Sequence, residues 1–141
     1  MKRALFVACV VALFAAAPAS AAIFLRLTAT TIHRGGLLHL AGNPEAMPLY
    51  ALPLARVPRC MRDGGCAELM RRSNPPTRPF VFIGRTPGSS PGFAVVRAFT
   101  IRVPRELARG RYKLFVWCRP CGGSLIPVGT NAFGQTLRIV Q

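Results

Sequence analysis

The chain has 141 residues, 51% of them apolar, with 13 glycines and 13 prolines, a balance that permits a core but leaves little room for long helices. Its 19 Lys and Arg face only four Asp and Glu, a net charge of +15. That charge favours polyanionic partners, and so few carboxylates argue against paired acid and base catalysis.

Lys2 and Arg3 precede an uncharged apolar run from Ala4 to about Ala17. Pro18 breaks the run, and Ala19-Ser20-Ala21 supplies the small residues a signal peptidase reads. Residues 1–21 are therefore expected to be a cleavable signal peptide and residues 22–141 one mature domain, secreted and extracytoplasmic. The run is shorter than the roughly 20 residues that span a bilayer. No second segment approaches that length, so no transmembrane segment is expected after cleavage. With Lys2 and Arg3 removed, 17 Lys and Arg remain against four acids, a net +13. Sixteen of the 17 are Arg, scattered, with Arg71-Arg72 the only adjacent pair. No basic run or basic helix of the kind that marks a nucleic-acid patch is present. The partners expected are an unknown protein or a cell-envelope polymer, not a specific nucleic acid.

Ile23 to Thr31 alternates loosely and reads as a first strand, followed by a turn at His33-Arg34-Gly35-Gly36. Leu37 to Ala41 is a second strand, closed by Gly42-Asn43-Pro44. Leu49 to Leu54 is a third, weakened by Pro48 and Pro53. Ala55 to Pro79 is a long irregular stretch that holds Cys60, Cys66 and Gly64-Gly65, with one helical turn predicted over Glu68 to Arg72. Phe80 to Ile83 is a fourth strand, and Phe93 to Val103 is the longest. On that strand Phe99, Ile101 and Val103 share one face, and Thr100 and Arg102 the other. Pro104 stops it, and Gly110 ends the bend that follows. Tyr112, Leu114, Val116 and Cys118 then form a core-facing set, with Lys113, Phe115 and Trp117 pointing away. Phe133 to Val140 is the last strand, with Leu137 and Ile139 inward. Seven short strands with turns between them predict an all-β, antiparallel sandwich with a long Cys-containing loop.

The stretch Phe99-Thr100-Ile101-Arg102-Val103-Pro104, then Gly110-Arg111-Tyr112-Lys113-Leu114, Cys118 and Thr136-Leu137-Arg138-Ile139-Val140 resembles the end of an immunoglobulin-like domain of secreted bacterial proteins. Leu25, Leu27, Ala29 and Thr31, followed by Arg34-Gly35-Gly36 and Ala41-Gly42, extend the likeness to the front half. The resemblance implies a seven-stranded antiparallel immunoglobulin-like sandwich. Within it, the Tyr112 ring is buried and its hydroxyl ties the crossing loop, as in a tyrosine corner. No Cys lies in the second strand to pair with Cys118, a departure from the usual inter-sheet disulfide. The run from Gly110 through Tyr112 to Trp117 is also similar to copper-carrying sandwiches of the periplasm, whose N-terminal His is absent from a chain starting at Ala22.

Four cysteines remain after export, and they allow three pairings. In a sandwich of this order the two Cys-bearing loops lie at opposite ends, which favours Cys60–Cys66 and Cys118–Cys121. Zinc held by all four thiolates is the chemical alternative, at a Cys60 to Cys66 spacing wider than a usual knuckle. Cys118-Arg119-Pro120-Cys121 is a CxxC at the end of a strand and before Gly122-Gly123, without the helix that activates redox-active CxxC thiols. His33 and His39 read as surface or capping histidines. Glu45, Asp63, Glu68 and Glu106 fall in loops or turns, with no pair set for acid–base work. The expectation is a non-enzymatic binding or structural domain with no cofactor and no metal. Its loops, or an exposed patch of Phe115 and Trp117, form the interface; the alternative for those two rings is burial under a neighbouring loop. Two further expectations are a cell-envelope metal or thiol-redox protein and a cationic binder of anionic surface polymers.

Overall fold

The computed structural model describes residues 24–43, 45–62, 71–88, 96–129 and 134–141. The expected signal peptide, Cys66, Asp63, Glu68 and the start of the strand at Phe93 lie outside the described residues. Apart from two short helical turns, every regular element among the described residues is a strand, so the chain is all-β. No helix among the described residues is long and apolar enough to cross a membrane.

Two sheets form. In the smaller, β1 (Leu25–Leu27) and β6 (Arg97–Arg102) flank β3 (Leu37–Gly42), both antiparallel to it. The larger holds β2 (Thr31–His33), β4 (Pro48–Pro53), β5 (Val81–Arg85), β7 (Gly110–Cys118) and β9 (Thr136–Val140), in the order β2-β9-β7-β4-β5. A further strand, β8 (Ser124–Pro127), pairs with the far half of β7. Of these pairs, β2 and β9 run parallel and the others antiparallel.

Nine strands among the described residues thus replace the seven expected. The stretch read as one strand from Ile23 to Thr31 is two. After Leu27 the chain leaves β3 and crosses to the other sheet, where Ile32 lies opposite Ile139. His33, expected in a turn, ends β2, and the turn begins at Arg34. It closes with the Gly36 N–H donating to the His33 carbonyl at 2.9 Å, and Gly35 supplies the left-handed residue at φ 68°. β8 is an addition without a sequence signature, because it follows the Cys loop directly and has no alternation of its own. Of the helical turn expected at Glu68 to Arg72, residues 68–70 lie outside the described residues, and Arg71 forms an isolated bridge with Ser124; a short helix forms at Arg59–Arg62.

One apolar cluster fills the space between the sheets. Leu25, Leu27, Leu38, Leu40 and Ile101 point into it from one side, and Ile32, Leu49, Leu114, Val116 and Leu137 from the other. Period-2 alternation puts them there: Ile101 and Val103 are buried while Thr100 and Arg102 are exposed, as the sequence predicts. Gly129, after β8, and Gln135, before β9, close the free side of β1. The Gly129 N–H donates to the Leu25 carbonyl, and the Gln135 amide both accepts from and donates to the Leu27 backbone. Those bonds occupy groups that an open edge would offer to another chain.

The outer face of the larger sheet is divided. Over the β4–β7–β8 half, Tyr50, Leu52, Val57, Phe115, Trp117 and Leu125 form a second buried cluster, with Leu54 and Phe80 against it. Leu49 to Leu52 and Leu114 to Cys118 are therefore buried on both faces of their strands. Their unbroken apolar runs, in place of alternation, are what that position requires. The described parts of the segment between β4 and β5, residues 54–62 and 71–80, form a strap that supplies the cover. Leu54 and Phe80 adjoin one end of β4, whereas Arg72 lies toward the other, where its N–H donates to the Gly123 carbonyl at 2.8 Å. The two Cys-bearing loops therefore meet through this strap, and are not held apart at opposite ends as expected.

A candidate anion-binding groove

The uncovered half of that outer face is basic. Along β7 the outward residues are Arg111 and Lys113, because Tyr112 and Leu114 turn inward. On β9 Arg138 points outward between Leu137 and Ile139, which are buried. Register then sets Arg111 directly opposite Arg138, and Arg138 opposite Thr31 of β2. Side chains opposite each other on antiparallel strands have Cβ atoms about 4.5–5.5 Å apart, a like-charge placement that disfavours folding. Arg109 adds a third guanidinium from the bend before β7. Together with Thr30, Thr31 and Thr136, these arginines line an open groove of about 900 Å³.

Lys113 is next along the same face, its ammonium donating to the Gly134 carbonyl at 2.8 Å. Partial burial, and then the Arg111 charge, hold its pKa below the usual lysine value. No Asp or Glu side chain lines the groove among the described residues. Arginine is suited to such a surface because its planar fork binds carboxylate or phosphate through two parallel hydrogen bonds.

The residues singled out from sequence sit elsewhere. Phe115 is 1% exposed and Trp117 7% exposed, so the exposed aromatic patch is corrected to a covered one. The strap explains the burial: the Phe80 ring meets Phe115 edge-on at 6.0 Å, and the Trp117 indole N–H donates to the Arg72 carbonyl at 3.1 Å. The Arg72 guanidinium lies 5.5 Å from the centre of the Phe80 ring.

Cys118 and Cys121 form a disulfide, with Cα atoms 5.1 Å apart. Cys60, in the short helix Arg59–Arg62, is also disulfide-bonded. A zinc site needs free thiolates, so three of the four sulfurs are unsuited to one. Among the described residues no group of three His, Cys, Asp or Glu is placed to hold a metal. His33 and His39 are both exposed, with His33 Nδ1 against the Gln141 carbonyl. The Tyr112 hydroxyl donates to the Ala108 carbonyl at 2.8 Å, the tie the resemblance implied.

The groove is not among the features expected from sequence, although half its signal is legible there. Alternation puts Arg111, Lys113 and Arg138 outward, but only the β7–β9 register places two of them face to face. No protein-family model matches the chain, and no curated protein matches it.

Proposed function

We propose that the chain is an exported, non-enzymatic binding module of immunoglobulin-like architecture that holds an anionic polymer in the Arg109–Arg111–Arg138 groove. The observation that carries this reading is the Arg111–Arg138 pair, two outward arginines that the β7–β9 register sets directly opposite each other, a like-charge placement that costs stability. A like-charge pair with no Asp or Glu side chain among the described groove residues is relieved by an anionic ligand. Support for the architecture comes from the two-sheet core, the Tyr112 hydroxyl bond across the bend and the parallel β2–β9 pairing. Support for export comes from residues 1–21, and support for a non-enzymatic role from the dispersal of the four carboxylates.

Binding of long-chain inorganic polyphosphate to the exported protein, titrated over a range of salt, tests the reading. Affinity should fall steeply with salt as counterions are released. The double variant Arg111→Ala, Arg138→Ala should bind more weakly, with the slope of log K against log salt shallower by about two, one for each phosphate that is no longer neutralised. An unchanged slope in the double variant would sink the proposal.

A further inference from the structure

Resting on that reading, we infer that the groove selects a hydroxyl-bearing anionic chain, a polyol phosphate or phosphorylated glycan, over single-stranded nucleic acid. Proteins that grip single strands combine a basic track with aromatic side chains on which successive bases stack. Among the described residues this surface has the track without the platform. Its described lining beside the arginines includes three threonines, Thr30, Thr31 and Thr136, and no aromatic ring.

The nearby aromatic rings among the described residues are committed elsewhere. Phe115 and Trp117 are buried under the strap at the other half of the same sheet face. Tyr112, between Arg111 and Lys113, turns inward and spends its hydroxyl on Ala108. Phe82 is half exposed, but it lies on β5, three strands from β9, or about 14 Å at the usual strand spacing. Threonine hydroxyls both donate and accept, so they match the hydroxyls of a polyol or sugar between anionic groups.

Three ligands with equal numbers of phosphates separate the possibilities: a poly(glycerol phosphate) oligomer, oligodeoxyadenylate, and the same DNA strand without its bases. The expected result is that the abasic strand binds as well as oligodeoxyadenylate and that the polyol phosphate binds most tightly. Thr136→Val should weaken polyol phosphate binding by about two- to tenfold, the scale of one lost neutral hydrogen bond, and leave the salt slope unchanged. Oligodeoxyadenylate binding tenfold or more tighter than its abasic form would show base stacking and overturn the inference, while the polyanion reading stood. Failure of all three ligands to bind would overturn both.

Discussion

Tyr112 shows how much one side chain ties together. Its ring belongs to the inter-sheet core, and its hydroxyl satisfies the Ala108 carbonyl four residues back, fixing the bend that aims Arg109 at the groove. Tyr112→Phe keeps the ring and removes that bond, so it should cost about 1 kcal/mol at neutral pH, read from urea unfolding. Burial also pushes the Tyr112 phenol above its usual value of 10.0. The folded state then holds the proton more tightly than the unfolded chain. This contribution is complete below about pH 10, the unfolded value, and is lost as pH rises through the higher folded value. Tyr50, raised mainly by burial with Arg85 opposing, acts in the same direction. Lys113, lowered by burial and by Arg111, acts oppositely: its contribution is present above its unfolded value and lost as pH falls through the folded one. The gap between wild type and Tyr112→Phe should therefore narrow above about pH 10. A gap that stays constant about one pH unit further up would contradict the burial argument.

Among the elements, the strap from Leu54 to Phe80 and the β7–β8 turn depend on each other. Gly122 and Gly123 both adopt left-handed backbone, at φ 74° and 79°. Their surroundings differ. A Cβ on Gly122 meets nothing within 4 Å, whereas one on Gly123 would collide with the Arg72 carbonyl oxygen. Gly122→Ala should cost only the conformational penalty, about 1–2 kcal/mol. Gly123→Ala should cost more and lift Arg72 away, uncovering Trp117. Because the chain has one tryptophan, its fluorescence reports that event directly: a red shift in Gly123→Ala and none in Gly122→Ala. Equal emission from both variants would mean that Arg72 does not hold the cover down.

Across the whole molecule, charge and stability oppose each other. The net charge, +15 over the full sequence and +13 over residues 22–141, already strains a compact state through self-repulsion, and the Arg111–Arg138 register concentrates part of it on one face. Arg138→Glu converts that pair into an attractive one. It should raise stability by about 0.5–1 kcal/mol in low salt, with the gain shrinking as salt screens it. The same change should abolish polyphosphate binding. A variant that gained stability and kept its affinity would separate the pair from the function assigned to it.

The β class, most strand positions and the inward sets follow from chemistry local to each segment. Alternation along Phe99 to Val103 and Tyr112 to Leu114 is a property of a single strand, and prolines and glycines mark where strands stop. The CxxC spacing brings Cys118 and Cys121 close enough for a bridge because the chain turns between them, as Pro120 and Gly122-Gly123 lead one to expect. Other features exist only through segments distant in sequence, and no single strand carries them. The split of the first strand between two sheets follows from where β3 and β9 lie. The cover over Phe115 and Trp117 is provided by residues more than 30 positions away, although the unbroken apolar run Leu114 to Trp117 hinted at two buried faces. The groove needed the β7–β9 register most of all. A shift of one residue would turn Arg138 into the core, so the charges of Arg111 and Arg138 become a site only once the strands are paired.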